Sequence, residues 1–111
     1  DRSELVAVGY SNGANIAGSL LFHYENSLKA AILHHPMVPR RNIEIPSLSG
    51  TPIFIGAGMN DPICLPQETR DLADILKAAN GEVVIHWENH GHQLTSSEVE
   101  AAAAWYDLNL R

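Results

Sequence analysis

The stretch Leu5-Val6-Ala7-Val8-Gly9-Tyr10-Ser11-Asn12-Gly13 decides how this chain folds. Its first four residues are apolar, and the next five have the form Gly-x-Ser-x-Gly. The residues from Asn12 to Tyr24 then carry small side chains and a few apolar ones at helical spacing. A strand that runs through Gly-x-Ser-x-Gly into a helix is typical of a sharp turn that exposes a serine hydroxyl. We therefore predict a strand from Leu5 to Val8, a tight turn, and a helix from Asn12 to Tyr24.

This turn makes Ser11 a candidate nucleophile. We predict that Gly9 and Gly13 are both required, because a Cβ atom at either position would collide with the crossing backbone. The helix that follows directs its N-terminus at the turn, so the backbone N–H of Asn12 is a candidate donor to an oxyanion.

Three further apolar runs, all nearly continuous, indicate strands that are covered on both faces of a parallel sheet. Two later segments have helical spacing, and a segment rich in proline and glycine separates the second and third strands. The order β-α-β-loop-β-α-β-α predicts an α/β fold with a three-layer, open parallel sheet. The strands are Ala30 to Leu33, Ile53 to Ala57 and Val83 to Trp87; the helices are Gln67 to Ala79 and Ser96 to Leu110; the loop is Pro36 to Pro52.

Composition limits the class of protein. The chain has 111 residues and a net charge of -6, which favours a single domain and argues against a basic nucleic-acid-binding surface. No run approaches the roughly 18 apolar residues that a membrane-spanning helix needs. A single cysteine excludes an internal disulfide and favours a reducing compartment, so we expect a cytoplasmic protein.

Chemistry in parallel sheets gathers beyond the carboxyl ends of the strands. Asp61 follows the third predicted strand, and His92 follows the fourth. A serine nucleophile needs a base and a carboxylate that orients the base, and Ser11, Asp61 and His92 occur in the chain order that this fold uses. His90 is an alternative to His92, which we favour because it follows the flexible Gly91.

Three motifs carry a resemblance to a known family: Gly9-Tyr-Ser-Asn-Gly-Ala-Asn15, Gly56-Ala-Gly-Met-Asn-Asp-Pro-Ile63 and Gly91-His-Gln-Leu-Thr95. Together they resemble the phospholipase/carboxylesterase group of α/β-hydrolases, which includes bacterial carboxylesterases and acyl-protein thioesterases. Within that group the chain looks most similar to esterase-like hydrolases associated with quinone-stress operons. The resemblance implies that residues 1–111 form a C-terminal portion of an α/β-hydrolase domain.

The resemblance also implies an activity. Ser11 would be the nucleophile, Asp61 the acid and His92 the base of a serine hydrolase that cleaves carboxylic esters or thioesters without a cofactor. Members of the group are about twice as long, and their second oxyanion-hole donor lies in a loop that nothing here matches. We therefore carry an alternative: a non-catalytic half-domain whose first strand is an open apolar edge. That edge would pair with a missing N-terminal half or with a second copy, giving a homo-oligomer.

Other residues at the predicted strand ends are candidates for a substrate pocket. These are Tyr10, His34, Met37 and Met59. For His34 and the neighbouring His35 we favour a structural or solvent-facing role over a place in the cleft. We predict no metal site, because His86 falls within a strand whereas His90 and His92 share a turn already assigned to catalysis. We predict that Cys64 behaves as a small, partly buried hydrophobic residue.

Overall fold

The computed structural model describes residues 5–24, 28–39, 44–48 and 50–110. It contains one four-stranded sheet in which every pairing is parallel, and the strand order is β1-β2-β3-β4. The predicted α/β class with an open parallel sheet is confirmed. The strands are β1 (Val6–Tyr10), β2 (Ala30–His34), β3 (Pro52–Gly58) and β4 (Glu82–Glu88); the helices are α1 (Asn12–His23), α2 (Pro66–Ala78) and α3 (Ser96–Leu110).

The largest boundary error concerns β1, which runs to Tyr10 rather than ending at Val8. Gly9 and Tyr10 stay in the strand because they pair with Leu33 and His34 of β2. The other element boundaries differ from the prediction by one residue at most, and α3 begins and ends where predicted. Of the predicted loop, residues 36–39, 44–48 and 50–51 contain no helix or strand, and Pro52 is the first residue of β3. Residues 40–43 and 49 lie outside the described chain.

Two apolar cores sandwich the sheet. On one face, α1 and α2 pack on alternate residues of the central strands, including Leu33, Ile53 and Ile55. On the other face, Ala102 and Trp105 of α3 pack with Phe54. The central strand β2 is buried along its whole length, as a continuous apolar run predicts. This three-layer packing fixes all the strand ends relative to one another.

Among the described residues, β1 pairs with β2 alone and is an outer strand of the sheet, as the sequence predicted. Val8 is 66% exposed and Leu5, just before the strand, is 68% exposed.

Within the described residues, no helix has both the length and the apolar character needed to cross a membrane.

Only one of the two glycines of the Gly-x-Ser-x-Gly motif is needed for the predicted steric reason. A Cβ atom on Gly9 would lie 2.4 Å from the carbonyl carbon of Gly13, far inside van der Waals contact. A Cβ atom on Gly13 would meet nothing within 4 Å, so the predicted steric requirement at Gly13 is wrong. Gly13 contributes the backbone that a side chain at residue 9 would meet, whereas a side chain at residue 13 would point into open space.

The two glycines therefore make a matched pair for a stability test. We expect Gly9→Ala to lower the free energy of unfolding by about 1–3 kcal/mol, because its Cβ meets backbone that cannot easily move. Gly13→Ala should leave it unchanged or slightly raised, since alanine is the better helix former. Urea unfolding of both variants measures this, and equal losses would contradict the assigned close approach.

Candidate active site

Ser11 sits in a strained turn between β1 and α1. Its backbone has φ 55° and ψ −113°, a region that non-glycine residues rarely occupy. The Ser11 N–H donates to the carbonyl of His34 at 2.9 Å, which ties the turn to the end of β2. The Ser11 hydroxyl makes no capping hydrogen bond to α1. The side chain is thus left free to face the next strand ends.

The Ser11 hydroxyl meets an imidazole that in turn meets a carboxylate. Ser11 Oγ lies 2.9 Å from His92 Nε2, and His92 Nδ1 lies 2.7 Å from Asp61 Oδ2. Three residues that are far apart in the chain therefore form one hydrogen-bonded line. His92, rather than the exposed His90, makes these contacts. The geometry is that of a serine nucleophile, a base and an orienting carboxylate.

The tautomer of His92 follows from this geometry. An ionised carboxylate only accepts hydrogen bonds, so the proton of neutral His92 lies on Nδ1 and is donated to Asp61. Nε2 is then left with its lone pair directed at the Ser11 hydroxyl. This is the arrangement in which an imidazole can remove the serine proton.

Asp61 is buried and remains ionised. Its Oδ1 atom accepts the backbone N–H groups of Ile63 and Cys64, both at 2.8 Å. Burial alone would raise the pKa of Asp61, but these bonds and those from His35 and His92 outweigh it and hold the pKa below its ordinary value. The Asn60-Asp61-Pro62 turn that the sequence indicated thus positions the carboxylate by its own backbone.

Behind Asp61 lies a group of buried side chains, of which the sequence indicated only His34 as a candidate for the site. His35 Nδ1 lies 2.9 Å from Asp61 Oδ2, and His35 Nε2 lies 2.8 Å from Glu98 Oε1. The other oxygen of Glu98, Oε2, lies 2.5 Å from His34 Nδ1. Glu98 was read only as part of a helix start, and nothing in its local sequence indicates that it turns inward. A buried acid on α3 is visible only once the sheet is assembled.

The start of α3 is capped by Thr95, whose hydroxyl accepts the N–H of Glu98 at 3.2 Å. Glu88 at the end of β4 accepts the hydroxyls of Thr95 and Ser97 at 3.1 and 2.6 Å. These bonds fasten the first turn of α3 to the sheet and place Glu98 beneath the strand ends.

His35 and Glu98 form a buried ion pair. Burial would lower the pKa of His35, but hydrogen bonds and charges from Glu98 and Asp61 raise it above its ordinary value of 6.5. Burial would likewise raise the pKa of Glu98, yet its bonds with His34 and His35 leave it below the ordinary 4.5. Each group therefore keeps its charge because the other is present.

The four predicted pocket residues lie in different places. Tyr10 donates its hydroxyl to the carbonyl of His92 at 2.7 Å, and its ring lies 5.5 Å from the His92 ring. Met37 lines an open cleft of about 510 Å³ with Asn12 and other residues. Met59 lines a separate cleft of about 210 Å³. His34 is buried against Glu98 and also lines a further cleft of about 340 Å³ beside α3.

Among the described residues, the one group of side chains that could hold a metal ion consists of atoms already in this network. His35, Asp61 and His92 offer ligand atoms within 4.8 Å of one another. Both imidazole Nδ1 atoms, however, donate protons to the same Asp61 oxygen. Cys64 is buried, and burial is the main reason why the pKa of its thiol is raised to about 11. A thiol in that state is a poor nucleophile and a poor metal ligand.

The His35–Glu98 pair predicts a pH-dependent stability. The raised pKa of His35 stabilises the fold fully below pH 6.5, and this contribution is lost as pH rises through the folded-state value. The lowered pKa of Glu98 stabilises the fold above pH 4.5, and this contribution is lost as pH falls through the folded-state value. The loss of unfolding free energy in Glu98→Gln should therefore be largest between these two pH values and smaller on either side.

Urea unfolding across this pH range measures the effect, with Glu100→Gln as the matched control. Glu100 is an exposed glutamate on the same helix, so its replacement should cost little at any pH. A pH-independent loss in Glu98→Gln, or an equal loss in the control, would contradict the buried ion pair.

Comparisons with known proteins identify the family of the chain. The Dienelactone hydrolase family matches residues 1–109 of the chain. "Putative hydrolase MhqD" of Bacillus subtilis (strain 168) is 54% identical over 106 residues, which are 96% of this chain and 53% of that protein. The crystal structure of the Bacillus cereus carboxylesterase is 61% identical, with a TM-score of 0.94, over 97% of this chain and 51% of that one.

A structure of lower sequence identity has a similar fold. The structure of YahD with malic acid is 30% identical, with a TM-score of 0.90, and the match covers 97% of this chain and 52% of that one. The chain therefore spans about half the length of the relatives that it matches. Since the family match extends over nearly the whole sequence and the fold superposes on a carboxylesterase, the chain belongs to the dienelactone hydrolase family and has an α/β-hydrolase fold.

Proposed function

We propose that this chain carries the catalytic triad of a serine hydrolase that cleaves carboxylic esters or thioesters through an acyl-enzyme. One observation carries the proposal: the hydrogen-bonded line from Ser11 Oγ through both nitrogens of His92 to Asp61, with distances of 2.9 and 2.7 Å. A serine hydroxyl is a weak nucleophile, and this arrangement is the one that activates it. The similarity to the Bacillus cereus carboxylesterase supports the ester class.

In the first half-reaction Ser11 Oγ attacks the carbonyl carbon while His92 Nε2 takes the hydroxyl proton. The resulting imidazolium is stabilised by Asp61 and returns the proton to the departing alcohol or thiol. In the second half-reaction water attacks the acyl-enzyme with the same base, releasing the acid and restoring Ser11. No cofactor takes part in this sequence of steps.

The oxyanion that forms in each half-reaction needs donors close to Ser11. Asn12 is the first residue of α1, so its backbone N–H has no partner within the helix. We propose that this N–H is one donor of the oxyanion hole, helped by the positive end of the helix. The loop that carries the second donor in this fold corresponds to no segment of the described chain.

The substrate would enter beside the turn that carries Ser11. The cleft of about 510 Å³ is lined by Asn12, by Ile16 and Ser19 of α1, and by Met37 and Pro39 of the facing loop. A lining with several apolar side chains suits the acyl or alkyl part of a small ester.

We also propose a cytoplasmic location, because the single cysteine favours a reducing compartment.

Ester turnover tests the proposal. With p-nitrophenyl acetate as substrate, the rate should fall in acid, because an imidazolium cannot accept the Ser11 proton. His92→Asn should lower kcat by about 10³-fold or more.

The matched control for this test is His90→Asn. His90 lies in the same turn but is exposed, so its replacement should leave kcat within about twofold. Equal losses in both variants, or a rate that does not change between acidic and neutral pH, would contradict the assignment of His92 as the base.

The open edge of β1 favours a second candidate role, association. Val8 is mostly exposed, and among the described residues β1 is an outer strand with β2 as its one paired neighbour, so its other edge is a template for pairing with another chain. We propose that this edge pairs with a further part of the hydrolase fold or with a second copy of the chain. Light scattering should then give a mass above 12.1 kDa that falls in Val8→Lys, and a monomer at all concentrations would exclude pairing between copies.

A further inference from the structure

The inference concerns His35, which lies directly behind the proposed triad. Its two ring nitrogens face two different carboxylates: Nδ1 is 2.9 Å from Asp61 Oδ2, and Nε2 is 2.8 Å from Glu98 Oε1. The side chains of Asp61 and Glu98 are 0% exposed, and that of His35 is 1% exposed. Water is thus excluded from both hydrogen bonds.

The protonation state of His35 follows from its partners. An ionised carboxylate is an acceptor only, so each of the two nitrogens must carry a proton to bond with it. Asp61 is ionised because it already accepts two backbone N–H groups and the His92 proton. Glu98 is ionised for a similar reason, since Oε2 accepts from His34. His35 is therefore an imidazolium held between two carboxylates.

Two unusual backbone features allow this arrangement. His35 has a positive φ of 56°, a conformation that strains a non-glycine residue, and its N–H donates to the carbonyl of Gly56 at 2.7 Å. Gly56 in turn leaves room for Glu98, because a Cβ atom there would lie 2.1 Å from Glu98 Oε2. The strained backbone at His35 and the missing side chain at Gly56 together allow His35 to contact Glu98.

The net charge of this buried group also suits catalysis. Asp61 and Glu98 contribute two negative charges and His35 one positive charge, so the buried group has a net charge of −1 behind His92. A single negative charge is what stabilises the imidazolium that His92 becomes during reaction. Without Glu98, a protonated His35 would cancel the charge of Asp61. Without His35, the negative charges of Asp61 and Glu98 would be buried without a cation between them.

We propose that His35 is a positioning residue of the active site: a buried imidazolium, kept charged by Glu98, that holds the Asp61 carboxylate ionised and facing His92. This inference rests on the proposed function, because the role has meaning only if Ser11, His92 and Asp61 react as a triad. The titratable groups that face His35 from the elements around it are Tyr10 of β1, His34 of β2, Asp61 and His92 of the loops after β3 and β4, and Glu98 of α3.

Nitrogen NMR of the chain labelled at histidine tests the charge state directly. His35→Asn identifies the His35 signals by their loss. At neutral pH we expect both ring nitrogens of His35 to be protonated, and we expect Glu98→Gln to return His35 to a neutral tautomer. A neutral His35 in the wild-type chain would overturn the proposal, whatever the activity of the chain.

Turnover of p-nitrophenyl acetate tests the positioning role. His35→Ala should lower kcat by about 10- to 100-fold with little change in KM, because the carboxylate that orients His92 is no longer held. His35→Asn should recover most of that loss, since asparagine tolerates a positive φ and its amide N–H can donate to Asp61.

His86→Ala is the matched control for these variants. His86 also pairs with a glutamate, Glu88 at 2.5 Å, but this pair is partly exposed, and the described contacts of His86 include neither Asp61 nor His92. Its kcat should equal that of the wild type. Circular dichroism confirms that each variant is folded before its rate is compared.

The outcomes separate this inference from the proposed function. If the wild type turns over the ester and His35→Ala does so equally fast, the positioning role is wrong and the proposed function stands. If His90→Asn, rather than His92→Asn, abolishes turnover, the proposed function is wrong. If His35→Ala and His86→Ala lose activity equally, the effect is one of general stability and the positioning role is overturned.

Discussion

The site depends on one buried carboxylate. Asp61 has no exposed side-chain surface, yet it carries a charge that must be compensated wherever it is placed. Its Oδ1 atom is satisfied by two backbone N–H groups and its Oδ2 atom by two imidazoles. The two backbone bonds fix the loop after β3 itself, and the two imidazole bonds fix the loops after β2 and β4 relative to it. The loops after β2, β3 and β4 are tied to one another through this group.

The parallel sheet is what brings these partners within reach. All four strands run in the same direction, so their carboxyl ends lie along one edge, where Ser11, His35, Asp61 and His92 follow successive strands. The sheet is held by a helix layer on each face, and α3 contributes Glu98 from beneath the strand ends. The strain at Ser11 and His35 is sustained by that packing. A loosely packed sheet would relax both turns and separate the groups.

Much of the fold could be predicted because its signals are local. Continuous apolar runs predict buried parallel strands, and the Gly-x-Ser-x-Gly turn between a strand and a helix predicts where Ser11 lies. The strand-end rule also selected Asp61 and His92, which the structure places in one hydrogen-bonded line with Ser11. These residues stand next to strands whose ends are visible in the sequence.

What could not be predicted depends on contacts between distant segments. Glu98 looks like an ordinary acidic residue in the first turn of a helix, and its contact with His35 spans 63 positions in the chain. The error at Gly13 has the same origin, because the motif does not reveal which of two crossing backbones needs the space. The exact end of β1 likewise depends on its pairing with β2. Local pattern predicts which element a residue belongs to, but not what its side chain meets.

The central claim is that Ser11 is an activated nucleophile, and covalent labelling tests it most directly. The intact mass of the chain is measured before and after treatment with a fluorophosphonate, which reacts with activated serines. The account predicts one adduct for the wild type and none for Ser11→Ala. An adduct that persists in Ser11→Ala, or a folded wild-type chain that forms none, would contradict it.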